Sequence, residues 1–163
     1  WLTILILLFI AILPWFYLPT NSLTISLLAL QFLILTIYAV PPFRFKERAL
    51  LGVFSDALYA YVIPFGVAFS TFSLLTKTSK TDFKFIIFSM AFWYLILGIR
   101  SIVFHQIQDF ENDLKSDITT WAIKKGKAKA YHFLKKIALP LEVISFFVVL
   151  FVLSFKIQYF YFS

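Results

Sequence analysis

Five apolar runs divide this sequence, each close to the roughly 20 residues that a helix needs to cross hydrocarbon. They cover residues 1–18, 22–40, 52–75, 83–104 and 137–155. Hydrocarbon offers the backbone no water, so only helices or closed barrels can span it. Barrel strands would alternate apolar and polar residues, and these runs do not alternate. The expected fold is therefore all-α, a polytopic transmembrane helix bundle forming one domain over residues 1–163. Pro19-Thr20-Asn21 ends the first span, Pro41-Pro42 ends the second, and Pro64 predicts a kink inside the third.

Composition agrees. The chain is 61% hydrophobic with a mean hydropathy of +0.90, whereas a soluble domain is about 45–50% apolar. There is no cysteine, which excludes disulfides, thiolate metal sites and a Cys nucleophile. The net charge of +7 would suggest nucleic acid in a soluble protein. Here the charges fall between apolar runs, so the bilayer and anionic ligands are the expected partners, and nucleic acid is not. The opening WLTILILLFIAIL lacks the basic leader and small-residue cleavage site of a signal peptide. It starts within an apolar stretch, and the closing IQYFYFS follows another, so neighbouring segments are expected at both ends.

The loop after the second run carries Arg44, Lys46 and Arg48. The segment after the fourth, with its flanks, carries Arg100, Lys115, Lys124, Lys125, Lys127, Lys129, Lys135 and Lys136. Two spans separate these loops, so they share one side and hold eleven of the fifteen basic residues. Lys77, Lys80, Lys84 and Lys156 fall on the other side. Positive-inside bias predicts an integral membrane protein with the 41–51 and 105–135 loops cytoplasmic.

The acidic signal is His105-Gln-Ile-Gln-Asp109-Phe-Glu-Asn-Asp113. If the fourth helix continues through it, Asp109 and Asp113 lie on one face, four residues apart. Two carboxylates so placed repel unless solvated or bridged by a cation. Mg²⁺ suits them, because it is held by one or two carboxylates plus substrate phosphates and keeps its remaining waters. Asn112 could add a neutral oxygen, and His105 continues the stripe as an orienting group or cap. Glu111 points elsewhere, and His132 lies far along a basic segment. The plainer reading is a solvated helix end with scattered acids.

Arg44, Lys46 and Arg48 alternate with Phe43 and Phe45, so the rings can anchor in the interface while the cations face water or a ligand. Topology alone explains them, but cations facing an acidic loop also suit a diphosphate. Asp56, one turn into the third span, is either functional or the structural partner of Arg48 or Arg100. Glu142 is expected to snorkel or pair with a lysine.

The stretch YAVPPFRFKERALLG, followed one helical hairpin later by HQIQDFENDLKSDITTWAIKKG, resembles the UbiA superfamily of membrane prenyltransferases. It is similar to that family's Tyr-x-x-Pro-(Pro)-x-Arg-x-Lys-x-Arg segment, particularly in the chlorophyll-synthase-like branch, and to its second Asp-rich motif with a later glycine, here Gly126. The resemblance covers essentially the whole chain, as the middle of a roughly nine-helix fold. It implies transfer of a prenyl group from a polyprenyl diphosphate to an acceptor that is aromatic or otherwise reachable from the lipid. Asp109 and Asp113 would be catalytic and hold Mg²⁺ on the diphosphate, while Arg44, Lys46 and Arg48 would bind its oxygens. Asp56, His105 and Asn112 would support them. Two positions depart from the pattern: Asp117 stands where the family has Gly, and Thr119 where many members have Lys. The family's first Asp-rich motif is expected upstream of Trp1. The competing expectations are a non-enzymatic transporter or assembly factor, or a degenerate member that binds isoprenoid without turnover.

Overall fold

A computed structural model describes residues 2–76 and 83–162. Lys77 and Lys80 lie outside the described residues, as does Trp1. Nine α-helices are described: α1 (Leu2–Ile12), α2 (Ser22–Ala39), α3 (Leu50–Ala57), α4 (Ile63–Leu75), α5 (Lys84–Gln108), α6 (Phe110–Lys115), α7 (Trp121–Lys125), α8 (Lys127–Phe133) and α9 (Leu139–Phe162). There is no β-strand among the described residues. Four helical stretches are long and apolar enough to cross a membrane: Ser22–Ala39, Leu50–Leu75, Lys84–Gln108 and Lys127–Phe155. At the N-terminus, α1 passes at Leu13–Phe16 into a 3₁₀ turn containing Pro14.

The bundle is apolar on its outside. Phe85, Phe88, Phe147 and Phe151 are each more than 60% exposed. In water such a surface would aggregate, whereas against lipid it is the solvated face. The contacts between helices are made by small and polar residues, as expected where hydrophobicity cannot drive helices together. Asn21 caps α2 by accepting from the Thr24 amide at 2.9 Å, and the Thr24 hydroxyl reaches Ser70 of α4 at 2.9 Å. Tyr61 donates to Ser101 of α5 at 2.8 Å. Arg100 of α5 is paired with Glu142 of α9, along the most extensively packed helix pair. Glu142 thus takes an arginine, not the expected lysine. With Arg100 occupied there, it does not serve Asp56.

Two prolines sit inside spans, and each follows a π turn. Leu58–Val62 precedes Pro64, and Leu134–Ala138 precedes Pro140. Proline lacks an N–H, and its ring collides with the carbonyl four residues back. For both prolines that carbonyl, of Ala60 or Lys136, lies in the wider π turn, which makes room for the ring. The kink expected at Pro64 takes this form. The last span starts at Lys127, ten residues earlier than the apolar run suggested, because basic side chains can line a helix end at the membrane surface. The fourth span also runs further than expected, to Gln108.

Gly98 lets α3 reach α5. A Cβ there would lie 2.8 Å from Ala57 Cα and 2.9 Å from a Tyr61 ring carbon. Gly98→Val should therefore force the two helices apart. The expected loss is about 1–3 kcal/mol, read as a lower thermal midpoint in detergent.

Candidate functional site

The two polar segments meet around one small core at one end of the bundle. Val53 of α3, Val103 of α5, Trp121 and Ala122 of α7 and Ala130 of α8 are buried together, with Ala49, Ile107, Phe110 and Phe133 packed on them. The segment 105–135, read from the sequence as a loop, is therefore mostly helix folded onto α3 and α5. Its polar residues conceal short apolar turns that bury Trp121 and Ala122.

Asp109 is the joint of this end. It closes α5 and opens α6 with φ −85° and ψ 3°. Its amide bonds the His105 carbonyl at 2.9 Å, and its carbonyl accepts from the Asp113 amide at 2.8 Å. The His105–Asp109–Asp113 spacing thus survives a change of helix. Asp113 Oδ2 accepts from the Thr120 hydroxyl at 3.3 Å. Thr120 also caps α7, accepting from the Ile123 amide. Burial raises the Asp113 carboxyl above the usual carboxylate range. The Thr120 hydrogen bond opposes this, and the charge of Asp109 adds to it. Buried Gln106 holds α7 in place by accepting from the Ala122 amide at 3.2 Å.

After α6 the chain turns at Asp117, in the left-handed region at φ 53°. The Ile118 amide reaches back to the Asp113 carbonyl at 2.9 Å, which forms a Schellman turn. Glycine is the residue best suited to that position. Gly126 joins α7 to α8 at φ 85°.

The basic loop lies beside the same core. Gly52 supports it closely: a Cβ there would lie 2.7 Å from the Phe45 carbonyl oxygen. Arg44 (φ 37°) and Ala49 (φ 43°) take positive φ around the 3₁₀ turn Phe45–Glu47. Arg44 is paired with Glu47 at 2.7 Å. Arg48 donates to the Pro42 carbonyl at 3.3 Å and lies over the Phe45 ring. Lys46, half-buried, has no ion pair or hydrogen bond among the described residues. No ion pair there joins this loop to Asp109 or Asp113.

Asp56 pairs with neither arginine. Tyr59 donates to its Oδ1 at 2.9 Å, and the Tyr59 ring lies 5.2 Å from that of Tyr38 at the end of α2. Asp56 is within electrostatic reach of His105, and Tyr38 within reach of both Asp56 and Asp113. The structure thus sets beside Asp56 two tyrosines, Tyr59 and, against it, Tyr38, to which the motif reading assigned no role. The i, i+3 spacing of Asp56 and Tyr59 was the available signal for one of them. Asn112 is exposed without a side-chain hydrogen bond among the described residues, and Glu111 pairs with Lys127 at 3.1 Å on the surface.

Asp109 and Asp113 are the residues that would hold a cation here. Two carboxylates stand on adjoining turns at the wet end, and Asp113 responds to the charge of Asp109. No group of three or more metal-ligating side chains occurs among the described residues, so phosphate and water oxygens would complete the shell. Compared with family models, curated proteins and solved structures, the chain matches none.

Two outcomes follow. Asp117→Gly should raise stability by about 1 kcal/mol by removing the left-handed strain, measured by thermal melting. Asp113 has a raised folded-state pKa, so its contribution to stability is present at low pH and is lost as pH rises through that value. With chelator present, the thermal midpoint should fall over that range, and Asp113→Asn should flatten the fall.

Proposed function

We propose that this protein is a membrane prenyltransferase, moving a prenyl group from a polyprenyl diphosphate to an acceptor in a Mg²⁺-dependent reaction. The observation that carries the reading is the packing of the basic loop and the Asp109–Asp113 segment around one core. It is supported by the resemblance of both segments to the UbiA superfamily. On this reading the polar end faces the cytoplasm.

Asp109 and Asp113 would hold the metal. When bound, Mg²⁺ neutralises charge on the diphosphate and eases its departure. Lys46, which has no ion pair or hydrogen bond among the described residues, is the cation most ready to take a phosphate oxygen. Arg48 needs only to give up one carbonyl contact. Arg44 is engaged by Glu47 and would contribute by exchanging that partner. Apolar helices around the prenyl chain would keep water from an allylic carbon that is losing its leaving group.

A second reading, an isoprenoid diphosphate binder without turnover, is favoured by one observation: no group of three or more metal-ligating side chains occurs among the described residues. The same assay separates the two. In the full chain, reconstituted with an allylic diphosphate, Asp109→Asn and Asp113→Asn should abolish Mg²⁺-dependent release of diphosphate while the thermal midpoint holds. Full activity in both variants would exclude the metal assignment. Lys46→Ala and Arg48→Ala should each raise KM for the prenyl diphosphate by about 10–100-fold, the value of a charge-assisted hydrogen bond. Binding of the diphosphate with no turnover by the unmodified protein would establish the second reading.

A further inference from the structure

A cavity of about 730 Å³ lies among α1, α2 and α4, apart from both polar segments. It is lined by Ile12, by Trp15 of the 3₁₀ turn, by Leu28 and Gln31 of α2, and by Ala68 and Thr71 of α4. Its size is that of a pocket for a small ligand. Beside it, α2 is held to α4 by the Thr24–Ser70 hydrogen bond and by Leu27, whose Cδ1 would lie 3.3 Å from a Cβ on Gly66. These contacts run antiparallel. Gln31 therefore lies near the level of Pro64, and Thr71 about 10 Å from it toward the start of α2. α1 packs extensively on neither helix.

Two polar groups in this lining are unanswered. Gln31 stands at the middle of α2, about 12 Å of helix from either end. Its amide makes no hydrogen bond among the described residues. The Thr71 hydroxyl is buried and has no partner among them. Such groups are costly away from water, and polar side chains that persist within a membrane mark the paths and sites of ligands. None of the residues lining the cavity is charged, so nothing there would offset an ionised head group.

We infer that this cavity binds an uncharged lipid whose carbonyl or hydroxyl oxygen accepts a hydrogen bond from the Gln31 amide at mid-bilayer. The lipid's apolar frame fills the space between α1 and the α2–α4 pair, and Thr71 offers a second hydroxyl at the end toward Thr24. None of the lining residues belongs to the proposed diphosphate site, so this assignment does not depend on that one.

The test uses the purified chain in detergent, stripped of lipid and titrated with heptadecan-2-one, heptadecan-1-ol and heptadecane. Native mass spectrometry reads the bound fraction. The ketone or the alcohol should bind at least about tenfold more tightly than the alkane, the worth of one hydrogen bond. A preference for the ketone identifies a carbonyl ligand, and one for the alcohol a hydroxyl ligand. Gln31→Leu should abolish the preference and leave the alkane's affinity unchanged. In the stripped protein it should also raise the thermal midpoint, because an apolar group replaces an unpaired amide. Ala68→Trp, which fills the cavity, should abolish binding of all three probes; Gln31→Leu adds no bulk and carries the test if that variant does not fold. An alkane bound as tightly as the oxygenated probes, or a preference that survives Gln31→Leu, would overturn the assignment. So would a lowered midpoint in stripped Gln31→Leu, which would make the amide structural. Tighter binding of palmitate than of either neutral probe would overturn the uncharged class. Displacement of the bound ketone by geranylgeranyl diphosphate would make the cavity that substrate's own pocket and overturn a separate site. These readings need no turnover, so they stand or fall apart from the prenyltransferase reading.

Discussion

Hydrocarbon gives an unpaired N–H or carbonyl nothing to bond to, and the organisation of this protein follows from that. Every crossing is helical. Where a proline would break the ladder, as at Pro64 and Pro140, the helix widens for one π turn and continues. Polar side chains within the spans find each other across helices: Thr24 with Ser70, Tyr61 with Ser101, Arg100 with Glu142. Each pair satisfies groups that lipid would leave bare. Each also fixes which faces of two helices meet, which apolar contacts with lipid-like neighbours cannot do.

The same constraint concentrates irregular backbone at the wet end. Arg44, Ala49, Asp117 and Gly126 are the residues with positive φ among those described, and all lie in the two segments around the Val53–Trp121 core. Strained backbone persists only where its surroundings determine it, and it gathers at sites that bind or react. Here the surroundings are identifiable: Gly52 beneath the basic turn, and Gln106 and Thr120 tying α7 to α5 and α6. The carboxylates and cations are thus carried on loops that are themselves clamped to helices.

The spans were legible because hydropathy reports a length and a solvent, and both are properties of single segments. The helical character of 105–135 was not. Its turns are short and carry lysines, and their burial depends on Val53 and Val103 from distant positions. The carboxylate spacing was legible, since four residues make one helical turn whether the turn belongs to α5 or α6. The partners were not. Arg100 could have served Asp56 or Glu142, and the choice is made by α9 packing along α5, a contact between residues 42 apart. Asp117 is the converse case. The resemblance alone set a glycine against it, and the physical preference for glycine there needed the left-handed turn.

The site is arranged against its own stability. Burial raises the Asp113 carboxyl, the charge of Asp109 adds to it, and the Thr120 hydroxyl acts in the other direction. The protein could relieve this by turning a cation toward them. Instead, Arg44 is held by Glu47, Lys127 by Glu111, and Lys46 has no ion pair or hydrogen bond among the described residues. On the proposed reading, charges kept apart in this way would be available to a metal diphosphate, the metal joining the carboxylates and the phosphate oxygens meeting the cations. The fold maintains that separation through the Trp121 core, on which Ala49 and Phe110 both pack, and no ion pair joins the two segments among the described residues.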